Sequence, residues 1–172
     1  ASGGALCFPN SFDMVRIGAA FYGLWPSSEA RECAGKKITL TPVLSWRTIV
    51  SEVKKIPKGE KVGYGFTEAV KRASVIAVCP VGYWHGYPRA LSGKGEALVR
   101  GKRAKILGLV SMDMIVVDVT GITGVQTGDA VTLIGRDGKE EMSAEEVALR
   151  AGTIHYEIVT RINPLIRRII KN

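Results

Sequence analysis

The stretch EALVRGKRAKILGLVSMDMIVVDV, residues 96–119, decides the expected fold. Its apolar runs are short, rich in Val and Ile, and separated by the turn sequence Arg100-Gly101-Lys102. Glycine readily adopts the positive φ that a tight hairpin turn requires. The stretch therefore predicts short strands joined by close turns.

The same alternation of apolar runs and turns extends over most of the chain. Further turn sequences occur at residues 57–60, 127–129 and 136–138. This spacing is typical of a β-sandwich or β-barrel, so we predict a mostly β domain. The candidate strands are residues 43–53, 73–81, 96–99, 104–110, 114–119, 130–133 and 154–161.

One short capping helix is predicted after Ser143. Ser143 and Glu146 have the spacing of a capping box, in which each side chain satisfies a backbone N–H group of the other residue. Gly152 is a suitable left-handed stop for this helix. We expect the helix to close one end of the β domain.

The first part of the chain has a different pattern. Val15, Ile17 and Ala19 alternate as in a strand, and Gly18-Ala19-Ala20 favours a tight turn directly afterwards. Residues 28–37 are polar and lack periodicity, as in a linker. We therefore predict three parts, at residues 1–27, 28–37 and 38–172.

Composition limits the function without deciding it. The 172 residues include 24 Lys and Arg against 16 Asp and Glu, a net charge of +8 that suits an anionic ligand, nucleic acid or simple solubility. No apolar run is long enough to cross a membrane, and the start of the chain does not resemble a signal peptide, so we expect a cytoplasmic protein. Three cysteines and two histidines lack metal-ligand spacing, so we expect reduced thiols and no metal site.

Four groups of residues could carry chemistry. Each also has a purely structural interpretation, such as a solvated turn, an aromatic cluster, a backbone cap or a core residue. A turn after a strand can bind phosphate through backbone N–H groups, and a dense aromatic cluster at a strand end is unusual for a simple turn. The groups are Ser2 with Arg16, Gly18 and Ala19; Tyr83 within residues 82–89; Met112 with Asp113; and Tyr156.

Six motifs in one order resemble the alanine racemases that use pyridoxal phosphate. They are DMVRIGAAFYG (13–23), VGYGFT (62–67), VGYWHGYPRALS (81–92), VRGKRAKILGLVSMDM (99–114), GDAVTLIG (128–135) and TIHYEIVTRI (153–162). The resemblance implies a carboxyl-terminal β-barrel-like domain, preceded at residues 1–27 by the last strand and turn of a (β/α)₈ barrel that binds the cofactor. It also implies a homodimer.

The resemblance also implies roles for individual residues. Arg16 would face the pyridine nitrogen of the cofactor, and its phosphate would be held by Ser2, Gly18, Ala19 and Tyr156. Tyr83 resembles the catalytic tyrosine that reaches into the site of the partner subunit. Met112 and Asp113 resemble the residues beside the substrate carboxylate and at the pocket entrance. The sequence differs from the family at two places. Trp84-His85 stand where Ala-Asp is common in the family, and Ser111 stands where the family often has Cys.

The implied reaction interconverts L-alanine and D-alanine through an aldimine of pyridoxal phosphate, supplying D-alanine for peptidoglycan. It needs two bases on opposite faces, a lysine and a tyrosine in this family. No lysine here lies in a motif matching the Schiff-base lysine, so we expect the chain alone to be inactive and not to hold the cofactor. The implied substrate is a small amino acid, and serine or another amino acid remains an alternative to alanine.

Two other classes of protein remain open. The charge and the basic run at residues 100–105 would suit a β-barrel that binds nucleic acid, although no aromatic residues are interleaved with that run. The chain could also be an architectural domain whose only role is dimerisation. We expect neither nucleic acid nor a membrane as the partner.

Overall fold

A computed structural model of the chain describes residues 1–8 and 13–170. The chain divides into two compact units, Ala1–Leu44 and Ser45–Asn172. The boundary therefore falls beyond residue 38, the predicted start of the β domain. We describe each unit by itself.

The first unit is built from short helices. It contains α1 (Ser2–Cys7), a 3₁₀ turn (Ala19–Tyr22) and α2 (Ser28–Ala34). The Ser27 hydroxyl caps α2 by accepting the Ala30 N–H at 3.2 Å. A helix thus occupies most of the segment in which we expected a linker.

The strand expected around Val15 and Ile17 is not formed, since the described residues 14–18 adopt no regular secondary structure and pair with no strand. Both side chains are exposed. A strand needs a neighbour for its N–H and C=O groups, and the described part of this unit offers none. The tight turn predicted at Gly18-Ala19-Ala20 is confirmed by the 3₁₀ turn beginning at Ala19.

The second unit is mostly sheet, as predicted. Its strands are β1 (Trp46–Ile49), β2 (Glu52–Ile56), β3 (Lys61–Val62), β4 (Glu68–Ala69), β5 (Ser74–Cys79), β6 (Glu96–Val99), β7 (Lys102–Leu107), β8 (Ile115–Asp118), β9 (Ala130–Asp137) and β10 (Glu140–Met142). Two helices follow, α3 (Ala144–Ala151) and α4 (His155–Thr160). Three further 3₁₀ turns cover Tyr64–Phe66, Tyr83–His85 and Arg89–Leu91.

The main sheet is antiparallel in the order β1-β9-β6-β7-β8-β5-β2, with β10 beside β9. Only Val50 and Ser51 separate β1 from β2, yet these strands lie at opposite ends of that order. The Val50 N–H bonds the Asp129 carbonyl beside β9, whereas the Ser51 N–H bonds the Val78 carbonyl of β5. The sheet must therefore curl until its ends meet at these residues, which makes it barrel-like without being closed.

This geometry corrects the single strand predicted at residues 43–53. The segment divides into β1 and β2, which serve the two ends of the sheet. The predicted hairpin of β6 and β7 is confirmed, and both turn residues have positive φ, 51° at Arg100 and 71° at Gly101. An arginine at such an angle is uncommon, and hydrogen bonds to the Gly124 carbonyl and Asp129 hold its side chain.

The capping helix is also confirmed. The Ser143 hydroxyl accepts the Glu146 N–H at 3.1 Å, and Gly152 is left-handed with φ 77°. Only half of the predicted capping box forms, because the Glu146 carboxylate instead accepts hydrogen bonds from Arg103 and Arg150.

The strand predicted at residues 154–161 is wrong, since this segment forms α4. Its Ile, Val and Thr content favoured a strand. The buried residues His155, Ile158 and Ile162 instead follow the three- and four-residue spacing of a helix.

The core lies inside the curled sheet. Leu98, Ile106 and Leu133 are fully buried on three neighbouring strands. Complete burial of such side chains contributes about 1.5–3 kcal/mol each, so the sheet forms a stable support for its loops.

Candidate active site

The connection between β7 and β8, residues 108–114, carries Met112 and Asp113 and contacts the turn of Tyr83, so it gathers three of the four predicted site residues of the sheet unit. The Tyr83 N–H bonds the Ser111 carbonyl at 3.0 Å, and the Trp84 N–H bonds the Met112 carbonyl at 2.9 Å. Two motifs that are 28 residues apart in the sequence are thus held side by side by backbone hydrogen bonds.

Two glycines allow this close approach. A Cβ atom at Gly82 would lie 2.2 Å from the Ser111 carbonyl oxygen, and one at Gly86 would lie 2.3 Å from the Arg161 carbonyl oxygen. Gly86 also has φ 101°, a conformation that favours glycine. His85 Nδ1 accepts the Gly82 N–H at 3.1 Å, which fixes the orientation of the ring.

Tyr83 lines a cleft of about 750 Å³. The residue is 44% exposed, so its ring is not sealed in the core. Glu157 of α4 and Arg161, directly after it, also line this cleft, and their side chains form an ion pair at 3.0 Å. Tyr83 can therefore meet a small molecule or a second chain.

Met112 and Asp113 lie on the exposed part of the same connection. The Met112 carbonyl is already engaged by Trp84, whereas the Met112 side chain is 56% exposed. The structure thus brings Tyr83 and Met112 together, as the resemblance implied for residues of one pocket.

A second tyrosine lies beside this connection, and the sequence analysis gave it no role. Tyr64 is 77% exposed on the 3₁₀ turn between β3 and β4. Its neighbours Gly63 and Gly65 both have positive φ, and Gly63 packs against Gly108. The glycines on both sides of Tyr64 in VGYGFT were the available sequence signal, because they indicate a tight turn that displays the ring between them.

The predicted phosphate-binding residues of the first unit converge in part. The Ser2 hydroxyl is buried and accepts the N–H groups of Gly18 at 2.8 Å and Ala20 at 3.5 Å. Ala19 lies between them, and Arg16 is exposed two residues before Gly18. The Ser2 hydroxyl oxygen thus occupies two backbone N–H groups of this turn, the kind of donor that binds a phosphate elsewhere.

Tyr156 is the second residue of α4 and is 39% exposed. Its ring packs on His155, with ring centroids 4.4 Å apart and planes inclined by 31°. Its neighbours Glu157 and Ile158 line the cleft that Tyr83 also lines, whereas Tyr156 itself does not.

The basic hairpin that suggested nucleic acid is largely neutralised within the fold. Three of its four cations form ion pairs, Arg100 with Asp129, Arg103 with three glutamates and Lys105 with Glu68. Paired cations contribute less to phosphate binding than free ones. The described residues contain no group of three potential metal ligands and no helix long and apolar enough to cross a membrane.

Comparison with known proteins points to one family. The alanine racemase C-terminal domain model matches residues 43–170. Alanine racemase from Halothermothrix orenii is 47% identical, and the match covers 93% of this chain and 41% of that enzyme. Alanine racemase from Leptospira interrogans is 43% identical, and the match covers 99% of this chain and 45% of that enzyme.

Solved structures agree with these relatives. Alanine racemase from Bacillus anthracis, crystallised with bound L-Ala-P, superposes with a TM-score of 0.85 at 43% identity, over 92% of this chain and 40% of that one. Alanine racemase from E. faecalis also superposes with a TM-score of 0.85, at 36% identity, and the match covers 94% of this chain and 42% of that one. The chain thus spans less than half the length of these relatives, and on these matches it belongs to the alanine racemase family.

Proposed function

We propose that this chain is the carboxyl-terminal part of a pyridoxal-phosphate-dependent racemase that interconverts L-alanine and D-alanine for peptidoglycan synthesis. The observation that carries the proposal is the docking of the Tyr83 turn on Ser111 and Met112. It sets a phenol beside the residues assigned to the substrate, on an exposed edge where a second subunit could approach.

The residues of the first unit fit the cofactor. A phosphate would replace Ser2 Oγ as the acceptor of the Gly18 and Ala20 N–H groups, and the Ser2 hydroxyl would then donate to the same phosphate. Pyridoxal phosphate would supply the electron sink that makes the Cα proton of alanine removable. We assign Ala19 and Tyr156 to the same phosphate.

Arg16 would face the pyridine nitrogen. A guanidinium stays charged and has only donors, so it does not add a proton to that nitrogen as a carboxylic acid would. The substrate Cα is then less strongly activated, which disfavours side reactions such as transamination. Met112 would present its N–H to the substrate carboxylate, with Asp113 at the pocket entrance.

A tyrosine of the sheet unit would take or return the Cα proton on one face, in the site of the partner subunit of a homodimer. The resemblance to the family implied this role for Tyr83. Tyr64 meets the same requirement and protrudes further, with 77% exposure against 44%. Both turns pack on residues 108–114. The base is therefore one of these two phenols, and the other forms part of the pocket wall.

The opposing base must come from outside this chain. Every lysine in residues 1–8 and 13–170 is exposed, so none has the enclosed setting of a Schiff-base lysine. We therefore propose that the isolated chain neither racemises alanine nor develops a borohydride-sensitive absorbance with pyridoxal phosphate. Appearance of that absorbance would contradict this part of the proposal.

Tyr83→Phe and Tyr64→Phe in the full-length enzyme distinguish the two phenols. Removing the base should lower turnover by about 10²–10⁴-fold in both directions, since general-base catalysis contributes that much. In D₂O, one alanine enantiomer should still exchange its Cα proton through the opposing lysine.

Whichever of Tyr83→Phe and Tyr64→Phe alters only the pocket wall should mainly raise KM. That variant should still exchange the Cα proton of both alanine enantiomers. Trp84→Phe, which alters the same turn without removing a phenol, is the matched control. If both tyrosine variants keep full turnover in both directions, this domain does not supply the base.

A further inference from the structure

The structure brings two cysteines together that the sequence left unconnected. Cys7 ends α1 and Cys33 lies in the last turn of α2, and these two helices pack against each other. The Cys33 sulfur lies 3.8 Å from the Cys7 carbonyl oxygen, and the Cys7 sulfur lies 3.9 Å from the Ala30 carbonyl oxygen. Both thiols therefore point into the same contact between α1 and α2.

Each thiol faces the backbone of the other helix. A hydrogen bond with the Cys33 thiol, together with desolvation, raises the pKa of the Cys7 thiol above its ordinary value. The two thiols are thus directed into one helix contact, and closeness of the two cysteines is the first requirement for a disulfide.

The pair is unequal in exposure. Cys33 is exposed, whereas Cys7 is half-buried behind it. An exposed thiol next to a protected one is the arrangement of an attacking and a resolving cysteine. The third cysteine, Cys79, is fully buried in β5, and burial raises its pKa to about 12, so it remains an unreactive thiol.

We propose that Cys7 and Cys33 form a reversible disulfide by exchange with a small disulfide such as glutathione disulfide. The Cys33 thiolate attacks one sulfur of that disulfide, which forms a mixed disulfide and releases one reduced glutathione. The Cys7 thiolate then attacks the Cys33 sulfur and releases the second glutathione. The protein loses two protons and two electrons, and one glutathione disulfide becomes two glutathiones.

The bond would fasten α1 to α2 and close a loop between residues 26 positions apart. The same helix α1 begins with Ser2, whose hydroxyl accepts the Gly18 N–H. Oxidation would therefore restrain the helix that carries this hydroxyl. The cysteine pairing itself does not depend on the proposed function, because it rests only on the contact between the two helices.

The test uses the whole 172-residue chain with a series of glutathione disulfide to glutathione ratios. Free thiols are blocked with iodoacetamide under native conditions, and the intact mass is measured before and after denaturation. The oxidised chain should lose the mass of two hydrogen atoms and keep one thiol, Cys79, that reacts only after denaturation. Digestion should give one peptide pair joined through Cys7 and Cys33, separable with dithiothreitol.

Single replacements supply the controls. Cys79→Ser should leave the mass change intact, whereas Cys33→Ser should abolish it. Cys7→Ser should stop the exchange at a stable glutathione adduct on Cys33. Stable adducts on the unmodified sequence, or independent alkylation of Cys7 and Cys33 at every ratio while Cys79 stays protected, would overturn the proposal.

Discussion

Replacing Arg103 by Met should lower the free energy of unfolding of the sheet unit by about 2 kcal/mol. Arg103 joins β7, β10 and α3, because its guanidinium bonds Glu140 at 2.9 Å, Glu96 at 3.1 Å and Glu146 at 2.5 Å. A further N–H donates to the Glu141 carbonyl at 2.8 Å. Methionine keeps much of the apolar stem, so the change removes mainly the charge and its hydrogen bonds.

The magnitude follows from the number of pairs and their exposure. The Arg103 side chain is 34% exposed, so water screens each pair, and we assign about 0.7 kcal/mol to each, within the range for surface pairs. Three pairs then give about 2 kcal/mol. Arg136→Met is the matched control, because Arg136 is 79% exposed and forms one ion pair, with Glu141. The Arg136→Met change should lower the free energy of unfolding by less than about 0.5 kcal/mol.

Urea unfolding followed by fluorescence measures both variants, in a background with Trp25→Phe and Trp84→Phe so that the buried Trp46 alone reports on the sheet unit. With a slope of about 1–3 kcal/mol per molar urea, the Arg103→Met midpoint should fall by about 1 M. Equal midpoints for the two variants would refute the network as a stabilising feature.

The effect should also depend on pH. The hydrogen bond from Arg103 holds the pKa of Glu146 below its ordinary value. A lowered carboxyl pKa stabilises the fold above the unfolded-state value, about 4.3, and this contribution is lost as pH falls through the lower folded value. The difference between the unmodified chain and Arg103→Met should therefore be complete at pH 7 and shrink below about pH 4. A difference that stayed constant to pH 2 would show that Glu146 is not responsible.

Three further predictions concern the turns, the helix and the core. Gly82→Ala should displace the Tyr83 turn, because the added Cβ would lie 2.2 Å from the Ser111 carbonyl oxygen. The expected result is increased protease cleavage near residue 83. Gly121→Ala is the control and should leave cleavage unchanged, because a Cβ at Gly121 meets nothing within 4 Å. Ser143→Ala should cost about 1 kcal/mol in urea unfolding through loss of the α3 cap, and an unchanged midpoint would show that the Glu146 N–H finds another acceptor. Leu98→Ala should lower the free energy of unfolding by about 2–5 kcal/mol, because Leu98 is fully buried. Leu149 is 80% exposed, so Leu149→Ala should change that free energy by less than about 0.5 kcal/mol. Similar losses for the two variants would contradict the burial pattern.

Local signals in the sequence were sufficient for several elements. Arg100-Gly101 predicted the hairpin turn of β6 and β7, and Ser143 and Gly152 predicted both ends of α3. These features depend on backbone conformation and hydrogen bonds within a few residues, so they can be predicted before the chain is folded. The resemblance carried by six motifs likewise identified the family.

Other features arose only from the tertiary structure. Residues 154–161 had strand-like composition, yet burial of His155, Ile158 and Ile162 on one side selected a helix. The division at Val50 and Ser51 required a sheet whose two ends meet. Local propensity differs by only a fraction of a kcal/mol per residue, so burial decides such cases.

The sequence by itself determined the turns, the capping helix, the mostly β class and the family. The tertiary structure alone decided which distant residues meet: the Tyr83 turn beside Ser111 and Met112, Arg103 among three glutamates, and Cys7 near Cys33 in the contact of two helices. Such contacts join residues far apart in the chain, and their energies exist only after the sheet has curled and the helices have packed.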